Sequence, residues 1–349
     1  MVYTNCMTKI KVGINGFGRI GRAFLKVAWD RPEIEIVAVN DLGSPENMAY
    51  LLKYDTVYGK WKHNDIKHDG EYLVIDGKKV KVLAEKDPSK LPWKDMEVDV
   101  AVEATGIFVT YESSKAHLDA GAKRVVVTAP MKDEPQPGIE GATVLMGVNE
   151  EKFGTCVITS NASCTTNAGS PLIAILDEAL GIEKALLNTT HALTNSQPTV
   201  DSMNKHNMRE GRAGGHNMVP SSTGAAIAVT KAFPKLKGMF DGIAIRVPII
   251  AGSIADITFI SKRDTTVEEV NQILLNASLD SRWQNIFTVT NEELVSSDIL
   301  GSRYGCIADL KMTRVVGGNL VKVLGWYDNE MGYTYTLVDH VIKTGNTIK

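Results

Sequence analysis

Cysteine is scarce in this 349-residue sequence: Cys6, Cys156, Cys164 and Cys306 are the whole set, and no two make a CxxC pair. So few thiols build no disulfide framework, and they fit a reducing compartment, the cytoplasm. No His, Cys or carboxylate cluster has ligand spacing, so no metal is expected. No apolar run reaches the roughly 20 residues of a membrane span. The opening residues, with Tyr3, Thr4, Asn5 and Lys9, do not read as a secretory leader. Net charge is only −3. Without a basic stripe or interleaved aromatics, no nucleic-acid partner is expected. Internal repeats and low-complexity tracts are absent as well.

The length exceeds what one core usually supports, so two domains are expected. A short apolar strand at Lys11–Ile14 leads through glycines into an amphipathic helix at Arg22–Trp29, and the β-branched run Ile34–Asn40 reads as a doubly covered strand. Strands at Val98–Glu103 and Arg124–Thr128 bracket a helix at Ser113–Ala120 that Gly121 stops. This half is α/β with a parallel sheet. From about Lys184 longer strands take over, at Ala185–Thr190, Gly242–Pro248, Ser253–Ser261 and Asn319–Tyr327. Such a mix predicts an α+β domain with a largely antiparallel sheet. Between these regions, Asn195–Met218 shows no sustained period, and structureless stretches of that length are usually functional. Leu337, Val338, Val341 and Ile342 fall at helical spacing and predict a docked terminal helix.

Gly16, Gly18 and Gly21 form GxGxxG between the first strand and its helix, with Arg19 and Ile20 inside the motif. The first glycine permits the turn, the second lets backbone approach a pyrophosphate, and the third allows close helix–strand packing. Free N–H groups at the helix start then face the phosphates. Asp41, twenty residues beyond Gly21 at the end of the second strand, suits the adenosine ribose hydroxyls and repels a 2′-phosphate. NAD is the cofactor these residues predict.

Ser160–Asn167 reads SNASCTTN and joins the strand Val157–Thr159 to an apolar-periodic helix reaching about Leu180. Cys164 therefore falls at a helix N-terminus, where partial positive charge is expected to favour thiolate and lower the thiol pKa. Cys156 reads instead as a small buried hydrophobe. His191, closing the strand Ala185–Thr190, is the candidate base for the thiol. Arg246 lies inside an apolar strand, where half of a buried ion pair and an anion-binding fork are both open.

SNASCTTN, PSSTGAA from Pro220 and WYDNEMGY from Trp326 resemble signatures of the phosphorylating glyceraldehyde-3-phosphate dehydrogenase family. INGFGRIGR from Ile14, LLKYD from Leu51, EATG from Glu103 and GGNLVKVLGWY from Gly317 extend the resemblance along the chain. It implies an NAD-binding Rossmann domain at residues 1–163 and 329–349, a catalytic domain at 164–328, and a homotetramer. It implies that Cys164 attacks the aldehyde of glyceraldehyde 3-phosphate and that His191 serves as base. Hydride passes to NAD, and inorganic phosphate releases the acyl group. Thr194 and Arg246 would hold the substrate phosphate, and Ser163, Thr165, Thr223 and Gly224 would serve the phosphate sites. Asn329 would hold the nicotinamide carboxamide with Tyr333 near the ring. Thr105, Phe108 and Thr128 would line the adenosine side, with Lys86 near the adenine.

The sequence also departs from the family pattern. Ser196 replaces an acidic residue, Ile227 a lysine, Met331 an aromatic and Lys86 an arginine, and Ile249–Gly252 stands in place of TPNV. Ser202 and Met203 replace the leucine and proline of strictly NAD-using members, so the expectation is NAD preferred with some NADP use. Another phosphorylated aldehyde such as erythrose 4-phosphate, with water attacking the thioester, stays open. So does a scaffold protein that has lost catalysis.

Overall fold

A computed structural model of the chain describes residues 9–205 and 207–348. The opening segment with Cys6 lies outside the described residues. The chain divides into two compact units. One comprises residues up to Val144, Glu151–Asn161 and the chain from Leu337 on; the other comprises Leu145–Glu150 and Ala162–Thr336.

In the first unit β1 (Ile10–Asn15), α1 (Arg19–Ala28) and β2 (Ile34–Asn40) make a βαβ unit. After α2 (Pro45–Lys53) and a ribbon of β3 (Tyr54–Asp55) and β4 (Gly59–Lys60) come β5 (Ile66–Asp69), β6 (Tyr72–Ile75) and β7 (Lys78–Leu83). Then follow β8 (Val100–Glu103), α3 (Tyr111–Ser114), α4 (Ala116–Asp119), β9 (Arg124–Val127), β10 (Gly141–Thr143) and β11 (Ile158–Ser160). The sheet order is β10-β11-β9-β8-β1-β2-β7-β6-β5. From β10 to β7 every neighbour is parallel, and only β5–β6 and β6–β7 run antiparallel. The chain moves from β1 outward through β2 to β7, then returns to the other side of β1 as β8. That reversal is the switch point at which doubly wound sheets bind ligands.

The helix expected over 113–120 is broken at Lys115, the C-cap of α3 and N-cap of α4 at once. Tertiary contacts on its two sides overrule the single period. Ser114 Oγ donates to the Phe108 carbonyl, while buried His117 lies between Trp93 Nε1 and the Glu103 carboxylate.

The second unit begins with α5 (Cys164–Leu180) and β12 (Ile182–His191), followed by β13 (Val219–Ser222), α6 (Ala225–Ala232), β14 (Phe240–Arg246) and β15 (Ser253–Ser261). It continues with α7 (Val267–Ser278), β16 (Phe287–Thr290), β17 (Cys306–Asp309), β18 (Arg314–Val316) and β19 (Leu320–Tyr327). The sheet order is β13-β14-β12-β15-β19-β17-β16, with β18 added on β19. Most pairs are antiparallel; β12–β14 and β16–β17 are parallel. In β15 every second side chain is buried, the period expected of a sheet packed on one face. Helix α5 packs on β12, β15, β17 and β19, while Leu186 and Ile243 stand exposed on their strands.

Helix α8 (Met331–Asn346) begins in the second unit and ends in the first. Leu337, Val338 and Val341 are wholly buried, and His340 reaches Thr159 Oγ1 at 2.7 Å and Asn161 Oδ1 at 3.2 Å. Among the described residues no helix is long and apolar enough to cross a membrane.

Candidate functional site

The glycine-rich turn of the first unit meets three separate demands. Gly16 has φ +94°, and a Cβ there would sit 2.6 Å from the Ala104 backbone. A Cβ on Gly21 would come 2.1 Å from the Gly16 carbonyl oxygen, so α1 can approach β1 only with glycine here. Gly18, the N-cap of α1, has nothing within 4 Å of such a Cβ, and no side chain caps the helix. Open space before uncapped N–H groups is what an incoming pyrophosphate needs. The Arg19 side chain turns instead to Asp55, at 2.9 Å, so at positions 19–21 it is the backbone that fits a phosphate.

Around this turn, the ends of neighbouring strands carry the other candidates. Asp41 follows β2, and its carboxylate accepts from the N–H groups of Phe17 at 2.7 Å and Gly43 at 2.9 Å. Two donors on two oxygens leave lone pairs for ribose hydroxyls. Beyond β8, Thr105 donates through its N–H to the buried Glu103 carboxylate at 2.8 Å and accepts from the Ile107 N–H at 3.0 Å. Thr128 follows β9 and donates its N–H to the Glu103 carbonyl at 2.9 Å. Phe108 is half-buried and Lys86, just past β7, is exposed. Glu103 also takes a hydrogen bond from Asn15 Nδ2 at 2.6 Å, and Asn40 donates to Asn15 at 2.7 Å, tying together the ends of β8, β1 and β2.

In the second unit, the turn into α5 presents the candidate nucleophile. Ala162 is held at φ +54°, a left-handed conformation that strains a residue with a Cβ, and Ser163 then caps α5 by accepting from the Thr166 N–H at 3.1 Å. Cys164 is thereby the first residue of the helix, partly accessible, with Sγ 3.4 Å from Nε2 of His191. His191 ends β12. Because β12 and β14 run parallel with His191 opposite Arg246, the arginine arrives beside the imidazole. Its Nη1 lies 2.6 Å from His191 Nδ1, and the same Nδ1 lies 2.7 Å from the Ala192 carbonyl oxygen. Arg246 Nε is buried without a partner.

Burial and the Arg246 charge push His191 down to about 4, so at neutral pH it is an uncharged imidazole able to accept a proton. For Cys164 the expected lowering is overturned. Burial pushes the thiol up, outweighing the opposing pull of the Arg246 guanidinium and the hydrogen bonds at Thr165. A helix start acts on a sulfur that the surrounding protein has already desolvated, and desolvation wins. The resting pair is thiol beside neutral imidazole. A thiol in such a pair becomes nucleophilic as its proton transfers, by general base catalysis.

The remaining candidates occupy three places. Thr194 Oγ1 lies 2.9 Å from Ser196 Oγ and its N–H donates to Gln197 Oε1 at 3.0 Å. Thr223 accepts from the Ala225 N–H at 3.1 Å at the start of α6, whose N-cap is Gly224. None of Thr194, Thr223 or Gly224 hydrogen-bonds to Cys164, His191 or Arg246. Buried Asn329 has Oδ1 held by the Gly252 N–H at 3.0 Å and Ser253 Oγ at 3.2 Å. That fixes the amide so that its NH2 is the group left for a ligand carbonyl, as a nicotinamide carboxamide requires. Tyr333 donates to the Ala162 carbonyl at 3.2 Å.

Two participants were not foreseen. Tyr327 OH lies 2.8 Å from Thr165 Oγ1 and 2.7 Å from Thr189 Oγ1, and its ring meets His191 edge-on. It thus braces the helix residue after Cys164 and the strand residue two before His191. Ser253 Oγ accepts from the Ala192 N–H at 3.1 Å while donating to Asn329, linking the segment after His191 to Asn329. The β-strand period, which puts Thr189 and His191 on one face, was the available signal for Tyr327. For Ser253 there was none.

A glycine-rich turn at the switch point of a parallel sheet, and in the other unit a thiol beside an imidazole, are the parts found in dinucleotide-dependent oxidoreductases. Comparison with known proteins narrows the class. The family model for the glyceraldehyde 3-phosphate dehydrogenase NAD binding domain matches residues 10–111, and that for the C-terminal domain matches residues 163–329. The chain is 44% identical to the glyceraldehyde-3-phosphate dehydrogenase of Streptomyces coelicolor over 342 residues, 97% of this chain and 99% of that protein. It is 43% identical to that of Eremothecium gossypii over 95% of this chain and 98% of the relative. With glyceraldehyde-3-phosphate dehydrogenase 3 of Saccharomyces cerevisiae it shares 40% identity over 96% and 99% of the two chains. The chain belongs to the glyceraldehyde 3-phosphate dehydrogenase family and is an NAD-dependent oxidoreductase.

Proposed function

We propose that the enzyme oxidises glyceraldehyde 3-phosphate to 1,3-bisphosphoglycerate with inorganic phosphate as co-substrate, through a thioester on Cys164. The observation that carries this reading is the 3.4 Å approach of the Cys164 sulfur to an uncharged His191. As sulfur bonds to the aldehyde carbon, Nε2 takes the thiol proton. When bound, NAD supplies the acceptor for the hydride leaving that carbon, and a thioester remains. Arg246, with its unpartnered Nε, and Thr194 hold the substrate phosphate. Ser163, Thr165, Thr223 and Gly224 receive the attacking phosphate, the last two at the open start of α6.

Gly16, Gly18 and Gly21 with the N–H groups of Arg19 and Ile20 receive the dinucleotide's pyrophosphate, and Asp41 its ribose. Lys86, Thr105, Phe108 and Thr128 attend the adenosine, Asn329 and Tyr333 the nicotinamide. NAD is the preferred cofactor, with slower use of NADP. This reading divides the chain into a cofactor domain at 1–163 and 329–349 and a catalytic domain at 164–328. It places the enzyme in the cytoplasm as a homotetramer, supported by the exposed Leu186 and Ile243 on the sheet of the second unit. Omitting inorganic phosphate is the test. Turnover should fall to a single burst of NADH; undiminished turnover would mean that water attacks the thioester.

A further inference from the structure

His191 Nδ1 stands between two groups with opposite demands. The Ala192 carbonyl oxygen, at 2.7 Å, can only accept a hydrogen bond; Nη1 of Arg246, at 2.6 Å, can only donate one. One ring nitrogen satisfies one of them at a time. If Nδ1 carries the proton it bonds to Ala192, leaving Nε2 bare toward the Cys164 sulfur at 3.4 Å. If Nδ1 accepts from Arg246, the proton sits on Nε2, and the imidazole cannot take the thiol's proton.

Arg246 has reason to prefer the imidazole when no anion is present. Its Nε is buried without a partner, its other contact is the Ala192 carbonyl at 3.4 Å, and no carboxylate pairs with it among the described residues. A tetrahedral dianion gives the guanidinium a stronger, charge-assisted acceptor. We propose that Arg246 and the Ala192 carbonyl compete for His191 Nδ1, so that an anion on Arg246 moves the imidazole proton from Nε2 to Nδ1 and creates the base. The proton exchanges through solvent with no net change. Arg246 is thus a positioning residue for the base as well as an anion ligand, and an aldehyde without a phosphate group reacts slowly because the base is mispositioned. This deepens the proposed function and rests on it.

The test uses the whole enzyme with NAD and D-glyceraldehyde, and sulfate as a dianion that does not attack the thioester. The rate of the NADH burst should rise roughly tenfold or more on adding sulfate, within the range a positioned base contributes. Nitrogen-15 NMR of histidine-labelled enzyme, assigned with His191→Asn, should show Nε2–H without sulfate and Nδ1–H with it. Arg246→Ala should show Nδ1–H in both conditions. The same tautomer with and without sulfate in the unaltered enzyme overturns the inference, as does Nε2–H persisting in Arg246→Ala. Failure of the underlying function would look different: no burst with glyceraldehyde 3-phosphate itself.

Discussion

Tyr327→Phe isolates the brace behind the Cys164–His191 pair, because it removes one oxygen and leaves the ring against His191. That oxygen serves Thr165 and Thr189, both buried, and burial keeps the phenol protonated well above its ordinary range. A phenol can donate to one hydroxyl while accepting from the other. Each buried hydroxyl left without a partner costs about 1–3 kcal/mol. The two threonines can partly satisfy themselves elsewhere, so a net loss of about 2 kcal/mol is expected. The catalytic effect follows from position. Thr165 adjoins Cys164, Thr189 lies two residues before His191, and a shift of about 1 Å in a reacting group can cost on the order of a hundredfold. Relaxation of a fraction of that predicts a kcat about tenfold lower with KM little changed. Urea unfolding gives the stability term, and the NADH burst the chemical step. Thr189→Val, singly and with Tyr327→Phe, should give non-additive losses of about 1 kcal/mol, as contacting residues do. A Tyr327→Phe enzyme with unaltered unfolding midpoint and burst rate would refute the brace.

Acid should destabilise the protein through its buried neutral histidines. His191 is pushed to about 4 and His340 to about 3, against 6.5 when exposed, so below pH 6.5 the unfolded chain binds protons the folded one refuses. At pH 5 each imidazole withdraws about 2 kcal/mol, full stability returns above pH 6.5, and His340→Gln should flatten the fall in urea midpoint. A profile flat from pH 7 to 5 would contradict this. Asp41→Asn should lower kcat/KM for NAD by roughly tenfold to a hundredfold, the value of hydrogen bonds to a charged group, and narrow the preference over NADP. Equal loss with both cofactors would remove Asp41 from the ribose.

Where side-chain pattern alone decides, the sequence was legible. Ile34–Asn40 and Ser253–Ser261 form strands with the bounds their apolar runs suggest, and the terminal helix buries the periodic residues from Leu337 onward. The antiparallel strands at 66–83 escaped notice because they are short and lysine-rich, with their apolar residues split among three segments. At the site, Cys164 and His191 stood out through their neighbours in sequence. Their 3.4 Å contact, the bracing by Tyr327 and the link through Ser253 join residues far apart in the chain, which no local pattern encodes. The direction of the thiol shift was misjudged for the same reason. A helix start can be seen in the sequence, whereas the protein packed around a sulfur cannot.

The crossing of α8 from one unit into the other sets an order on how the molecule is made. The sheet of the first unit is built from strands that end at Ser160, yet its packing is completed by Leu337, Val341 and His340, far further along the chain. Its core has a gap to fill until α8 is added. A nascent chain halted before Leu337 would expose that gap to proteases and chaperones, and the folded state becomes available only once α8 has been made.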